Sequence, residues 1–233
     1  MSEAFDRVRH ISELPLFPLS VVLYPGTPLP LHIFEDRYRK MFEDIRAGDN
    51  LFGLSYFDAS ISGLDLPPAG HVGCVASVRE AQELPDGRSN ILAVGLIRYR
   101  VDAYEETGDP YLVARVSFFE DEDEDQELLA PRTQHVAELF MRIARAVRAI
   151  NDELVALPEV PETDPEQLSF LVASAMELDV EVKQELLELR YTSERLKRLR
   201  ELLSRAVTGY EEKARIHNVA KSNGHSKLKV KID

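Results

Sequence analysis

The chain has 233 residues, long enough for one large domain or two small ones, and its 28 basic against 41 acidic residues give a formal net charge of -13. This acid excess disfavours nonspecific binding to nucleic acids or anionic membranes, because both depend on basic side chains that displace counterions from phosphates. A single cysteine excludes an internal disulfide, and with no secretory leader or membrane-length apolar run we expect a soluble cytoplasmic protein.

The chain opens with short apolar runs and one amphipathic helix. Prolines interrupt the runs Leu14–Leu19 and Val21–Gly26, which predicts edge or bulged strands because proline removes a backbone donor. The spacing of apolar residues then becomes helical over Glu35–Ala47. The apolar stripe of this helix consists of Tyr38, Met41, Phe42 and Ile45.

Strand patterns resume after the helix. The predicted strands are Leu51–Phe57, Val72–Gln82, Ile91–Leu96, Tyr99–Glu105 and Tyr111–Phe119. The pair Asp86-Gly87 tolerates positive φ and predicts a tight hairpin turn between two of them. Five or six antiparallel strands with such turns and one helix predict a small β-barrel.

An acidic run marks a boundary in the chain. Glu120–Glu127 has seven acids in eight positions, which predicts an extended, solvated linker that is not buried. The final residues are polar and rich in lysine, and we expect disorder from Lys221 onward. We therefore divide the chain into a β-barrel domain, an acidic linker, a helical bundle domain and a polar basic tail, at residues 12–119, 120–130, 131–210 and 211–233.

The helical part contains several amphipathic segments. The first begins at Pro131, and its apolar face consists of Val136, Leu139, Phe140, Ile143, Val147 and Ile150. Asp164 followed by Pro165 predicts the capped start of another helix, and further helices follow Asp179 and Thr192. The last helix keeps its apolar spacing for two heptads only, which favours a packed bundle over a coiled coil. The expected fold class is therefore α+β.

No pattern typical of catalysis is found. The phosphate-binding loop, the nucleophile elbow and the zinc-binding helix are missing, and the six histidines lack helical metal-ligand spacing. Adjacent carboxylates such as Glu35 and Asp36 are expected on the solvated surface. Cys74 lies in an apolar strand, which predicts an inert, buried thiol. We therefore predict no cofactor, no metal and no enzymatic activity.

Ordered motifs resemble the Lon protease N-terminal domain family. The runs Leu14–Leu19 and Leu23–Tyr38 look like its opening signature. Later blocks that match in order are Gly70–Ala76, Leu84–Arg88, Gly95–Arg100, Lys183–Glu188 and Glu194–Leu196. The resemblance covers about Leu14–Thr208, and it implies a PUA-like barrel packed with a helical bundle and a role in recognising protein substrates. The full protease continues into ATPase and peptidase domains that this chain lacks, so we expect a stand-alone form that binds without cleaving.

Six residues are candidates for protein binding. They are Phe34, Glu35, Arg37, Tyr38, Arg88 and Arg98. Within the first four, Glu35 and Arg37 could face a partner, whereas Phe34 and Tyr38 are more typical of side chains that hold the helix against the barrel.

The two later arginines each have two interpretations. Arg88 either contacts a ligand or only completes the hairpin turn. Arg98 and Arg100 share one face of a strand, where they form a basic patch if that face is exposed. If Arg98 instead points inward, it must pair with a carboxylate.

Two functional classes follow. The first is a non-enzymatic module that presents an apolar groove or an open strand edge to unfolded client proteins, or to a partner such as a separate protease. The alternative is an RNA-binding PUA-like module, which the net charge and the lack of alternating aromatic and basic residues disfavour. A hydrolase with an unrecognised site is a third, weaker hypothesis.

Overall fold

A computed structural model describes residues 2–57, 66–153 and 163–224, which contain six strands and six helices. The chain forms two compact units. The first consists of Met1–Asp123 and Ala173–Tyr191, and the second of Glu124–Val172 and Thr192–Asp233. Residues 173–191, which the sequence grouped with the helical bundle, thus belong to the same unit as the strands.

All six strands join one mixed sheet in the first unit. They are β1 Glu13–Leu19, β2 Pro28–Ile33, β3 Leu51–Tyr56, β4 Val72–Glu83, β5 Ser89–Glu105 and β6 Leu112–Phe119. The order is β2-β5-β4-β3-β1-β6, and β5 also pairs with β6. The strands β5, β4, β3, β1 and β6 therefore form a closed ring of pairings, while β2, among the described strands, pairs with β5 alone. The two strands predicted at Ile91–Leu96 and Tyr99–Glu105 are one continuous strand, β5.

The prolines of β1 do not place it at an edge of the sheet. Its first half, Glu13–Leu16, pairs with β6, and its second half, Leu16–Leu19, pairs with β3. Each half is thus paired on one side only, so Pro15 and Pro18 remove few ladder bonds although the strand lies inside the sheet order. The sequence predicted an edge or a bulged strand, and the edge position is wrong because β1 lies between β3 and β6 in the sheet order.

The second apolar run forms a turn where a strand was predicted. Gly26 has a φ of 74°, and the Thr27 hydroxyl donates to the Tyr24 carbonyl oxygen at 2.8 Å. The Gly26 amide donates to the Gly95 carbonyl at 2.8 Å, which fixes the turn against β5. Because the chain reverses here, the strand is β2, which follows the turn.

Three helices belong to the first unit: α1 Glu3–Val8, α2 Asp36–Arg46 and α5 Val180–Glu188. The predicted stripe of α2 is confirmed, since all four of its residues are buried. They join Phe52, Leu54 and Cys74 in one apolar cluster. A second cluster is built around Leu16, Val75 and Tyr99.

The second unit is helical. It contains α3 Gln126–Ile150, most of α4 Pro165–Ala175, and α6 Thr192–Gly224. The predicted cap of α4 is confirmed, because the Gln167 amide donates to Asp164 Oδ1 at 2.8 Å. The helix α3 begins before Pro131, since Asp125 Oδ1 accepts from the Glu127 amide at 2.9 Å and caps an earlier start.

The acidic run is not a free linker. Asp121 has a side chain only 5% exposed and pairs with Arg98. Glu124 accepts a bond from the Ser193 amide at 2.9 Å, and Asp125 caps α3. The prediction of a fully solvated segment was therefore wrong, because individual acids of the run meet specific donors.

The predicted tail is helical over its first part. The helix α6 extends to Gly224, so residues 211–224 continue it. The expectation of disorder is wrong for Lys221–Gly224, and residues 225–233 lie outside the described part of the chain.

Candidate functional site

Arg98 points inward from β5 and is 1% exposed. Its guanidinium pairs with Asp121 and donates to the carbonyl oxygens of Leu187 at 3.0 Å and Leu189 at 2.5 Å. The Phe119 ring lies 4.6 Å from the guanidinium carbon. Of the two sequence interpretations, the inward one with a carboxylate partner is confirmed. Arg98 therefore joins β5, the end of β6 and the segment after α5, and it is too deeply buried to contact a partner directly.

Tyr38 is also a core residue. Its side chain is 6% exposed, and its ring centroid lies 4.0 Å from that of Phe17 on β1. Burial raises the pKa of the Tyr38 phenol above its ordinary value. Tyr38 thus packs α2 against the sheet, which is one of the two roles that the sequence suggested for it. Because it is buried, it is not a candidate for contact with a partner.

Phe34 lies on the surface between β2 and α2. It is 58% exposed, and its ring is stacked with the ring of His32, with the two ring centroids 5.9 Å apart. It does not pack α2 against the sheet. Glu35 stands at the N-cap position of α2 without a capping bond, and it accepts instead from Arg37 Nε at 2.9 Å.

Arg88 lies in the turn between β4 and β5. Its Nε donates to Asp86 Oδ2 at 2.7 Å, and this contact lowers the pKa of the Asp86 carboxyl to about 2. Because Ile33 of β2 pairs with Ser89 of β5, Arg88 and Phe34 leave the same end of these two strands. We call the exposed set at this end the corner. Its members are His32, Phe34, Glu35, Arg37 and Arg88.

An apolar groove lies elsewhere in the first unit. Its volume is about 330 Å³. The apolar groove is lined on one side by the turn before β2 and by β2 itself, and on the other by the segment that leads into α5. Its apolar members are Val21, Val22, Leu23, Pro28, Leu29, Leu178 and Val180. Val21 is 38% exposed although it is apolar, so the groove offers uncovered hydrophobic surface.

The apolar groove has a polar end. Lys183 Nζ donates to the Ser174 carbonyl oxygen at 3.2 Å, and burial lowers the pKa of the Lys183 amine. Ser20 and Thr27 also line the groove. Such a concave apolar surface with a few polar groups is typical of a binding site for an apolar ligand.

Sequence reasoning missed this groove because its two sides are far apart in the chain. The run Val21-Val22 was the available signal, yet the sequence assigned it to a strand. Leu178 and Val180 were assigned to the helical bundle, whereas they lie in the unit that contains the strands. A contact between segments so far apart depends on the tertiary fold.

The outer edge of β2 is poorly suited to the addition of another strand. Pro28 and Pro30 have no backbone N–H group. Because they are two residues apart, their backbone nitrogens point toward the same edge of the strand. Proline is tolerated where its nitrogen faces away from the neighbouring strand, which here is β5. An incoming strand would find two donors missing, so the apolar groove is the better candidate of the two modes expected from the sequence.

The described residues offer little for metal or thiol chemistry. No group of three His, Cys, Asp or Glu side chains among them is arranged to hold a metal ion. Cys74 is buried, as predicted, and burial raises the pKa of its thiol to about 12. Within the same described ranges, no helix is both long and apolar enough to cross a membrane.

The chain is similar in sequence to Lon proteases from several bacteria. It is 30% identical over 221 residues to the Lon protease of Trichlorobacter lovleyi, covering 94% of this chain and 27% of that protein. It is 27% identical over 214 residues to the Lon protease of Escherichia coli K12, covering 90% of this chain and 27% of that protein. The chain thus spans about a quarter of the length of the curated relatives that it matches.

Solved structures share the fold. A Lon N-terminal domain protein from Xanthomonas campestris aligns with a TM-score of 0.62 at 24% identity, covering 81% of this chain and 97% of that one. The N-terminal domain of a Mycobacterium avium complex Lon protease aligns with a TM-score of 0.60 at 20% identity, covering 82% and 98%. A family model described as the ATP-dependent protease La (LON) substrate-binding domain matches residues 13–205. Since this match takes in most of the chain, the resemblance found in the sequence is confirmed, and the chain belongs to the family of LON substrate-binding domains.

Proposed function

We propose that the chain is a protein-binding module that recognises exposed apolar segments of client proteins through the apolar groove. The observation that carries this proposal is the uncovered hydrophobic lining of the groove around Val21. Membership of a substrate-binding family supports binding as the activity. The module acts by binding and not by catalysis, and it presents its clients to a protease.

Binding in the apolar groove depends on the burial of client side chains. Burying an apolar side chain contributes about 1.5–3 kcal/mol, so a client with one or two such residues binds weakly and reversibly. Val21 and Leu29 supply one wall, and Val180 lies on the other. Lys183 at the polar end is suited to a backbone carbonyl of the client.

The corner supplies a second contact surface in this proposal. Phe34 offers an exposed aromatic ring, and Arg37 and Arg88 offer exposed guanidinium groups, each paired with a carboxylate. Aromatic and arginine side chains are enriched where proteins bind other proteins. The closed ring of strands, to which β2 is attached through β5, corresponds, in our proposal, to a PUA-like barrel.

Fluorescence anisotropy with a labelled, denatured client protein tests the groove. We expect Val21→Glu to weaken binding by about five- to tenfold, because it places a charge on surface that the client must dehydrate. Ile216→Glu is the matched control, since Ile216 is an exposed apolar residue of the second unit, 57% exposed. Equal loss in both variants would contradict a groove-specific interaction.

The same assay with labelled single-stranded RNA separates the two functional classes. We expect no binding of RNA at physiological salt, because the net charge of -13 repels phosphates. Tight, salt-sensitive RNA binding without client binding would overturn the proposal.

Phe34→Ser tests the corner separately in the assay with the denatured client protein. Unchanged client binding would remove the corner from the contact surface.

A further inference from the structure

A basic groove lies in the second unit, along α3 and α6. Its volume is about 350 Å³, and its apolar residues are the exposed Pro131 and, beneath the surface, Leu196, which is 0% exposed. The basic side chains that line it are Arg132 and His135 from α3 and Lys197 and Arg200 from α6. We call this surface the basic groove.

The spacing of the basic residues explains why they converge. Arg132 and His135 are three residues apart on α3, and Lys197 and Arg200 are three apart on α6. Residues with this spacing share one helix face. All four side chains are exposed, so each can reach a bound molecule.

These basic side chains have no acidic partner in the part of the chain that the structure describes. Arg132, His135, Lys197 and Arg200 make no ion pair there. Elsewhere in the same unit, Arg142 makes a two-pronged contact with Glu211, at 2.9 and 3.0 Å. The basic groove therefore keeps its positive charge in a chain whose overall excess is acidic.

We propose that the basic groove binds an acidic segment of another protein that also carries an apolar side chain. Carboxylates of such a segment complement the basic residues, and its apolar side chain packs on the exposed ring of Pro131 and on the aliphatic stems of Arg132, Lys197 and Arg200. This site goes beyond the function proposed above, because it lies in the other unit and selects charged instead of apolar segments.

The lining favours a peptide over a nucleic acid. Single-stranded nucleic acids bind where aromatic rings stack on their bases, and none of the residues that line the basic groove is a Phe, Tyr or Trp. The exposed ring of Pro131 contributes little to binding a fully hydrated phosphate, whereas it can pack against a leucine or valine side chain. Exposed ion pairs are weak singly, so binding depends on several carboxylates and falls with added salt.

Two labelled peptides with flexible Gly-Ser backbones test the proposal by fluorescence anisotropy. One carries several glutamates and a single leucine, and the other has lysines in place of the glutamates. The full chain should bind the glutamate peptide and not the lysine peptide. The double variant Lys197→Glu, Arg200→Glu should lose about tenfold in affinity for the glutamate peptide, because attractive charge pairs become repulsive.

A matched control separates the groove from general electrostatics. Arg205→Glu with Lys213→Glu makes the same change in net charge on exposed positions of α6 outside the groove. This control should bind the glutamate peptide as the unmodified chain does. The Lys197→Glu, Arg200→Glu variant should also gain affinity for the lysine peptide, which shows that it is folded and that the charge pairing is direct.

Three outcomes would overturn the proposal. They are no binding of the glutamate peptide, equal loss of binding in the control variant, and tighter groove-dependent binding of labelled RNA than of the glutamate peptide. The apolar groove is tested separately, because the Lys197→Glu, Arg200→Glu variant leaves its lining unaltered and should still bind the denatured client as the unmodified chain does.

Discussion

At the residue scale, Arg98 shows how one charged side chain can organise a unit. It satisfies the Asp121 carboxylate and two carbonyl oxygens in a place with almost no contact to solvent. A buried charge that loses its partner is costly, because neither water nor another donor replaces it. The same network explains why an acid of the run Glu120–Glu127 is buried at all.

We therefore predict that Arg98→Met destabilises the chain by about 3–5 kcal/mol, because it removes the Arg98 guanidinium from the buried Asp121 carboxylate. Denaturation in urea, followed by circular dichroism, measures this free energy of unfolding. Arg100→Met is the control, since Arg100 lies two residues away on β5 and is exposed. A similar loss in both variants would show that the buried pair does not matter.

At the element scale, the close approach of β5 to the turn before β2 depends on Gly95. A Cβ at this position would lie 2.0 Å from the Tyr24 carbonyl oxygen. The Gly95 amide and carbonyl also make the two bonds that fix the turn, to Thr27 and Gly26. Because Val21 and Val22 lead into this turn and Thr27 follows it, the position of the turn determines one wall of the apolar groove.

Two glycine substitutions, which should change the stability of the folded chain in opposite directions, test this geometry. Gly95→Ala should destabilise by at least about 1–3 kcal/mol, because the turn must move away from β5. Gly209→Ala should stabilise by about 0.5–1 kcal/mol, since Gly209 lies within α6 and a Cβ there meets nothing within 4 Å. Thermal unfolding of both variants checks the contrast, and a neutral Gly95→Ala would contradict the close approach.

At the scale of the whole molecule, stability should depend on pH through His71. Burial lowers the pKa of this imidazole, and the nearby Glu188 carboxylate opposes that effect only in part. Among the described residues, His71 Nε2 is buried and has no hydrogen-bond partner. The folded chain therefore holds His71 neutral under conditions in which the unfolded chain accepts a proton.

The sign of the effect follows from this difference. Above about pH 6.5 the histidine is neutral in both states, and as the pH falls below that value the unfolded state gains the proton first. His71 thus contributes to a loss of stability towards acidic pH. We predict that His71→Gln reduces the difference between the free energies of unfolding at pH 7.5 and pH 5.5. His135→Gln is the control at an exposed histidine, and an unchanged difference in His71→Gln would contradict the prediction.

Local patterns predicted much of the fold. The four-residue stripe of α2, the Asp164 cap of α4 and the buried Cys74 depend on residues close together in the sequence, and all are confirmed. The strands broken by prolines were less predictable. A proline lacks a backbone N–H group wherever it stands in a sequence. Whether this costs a hydrogen bond of the sheet depends on which strand pairs with each half of β1, and that is decided by the tertiary fold.

The sequence by itself determined the family, the mixture of strands and helices, and the requirement that an inward Arg98 have a carboxylate partner. Only the tertiary structure decided that the partner is Asp121, because each acid of the run looks equally solvated when it is judged by its neighbours in the chain. The two grooves have the same origin. Each groove brings together segments that are far apart in the sequence. The spacing of apolar residues predicts which face of one helix or strand is buried, but it does not predict which other element packs on that face.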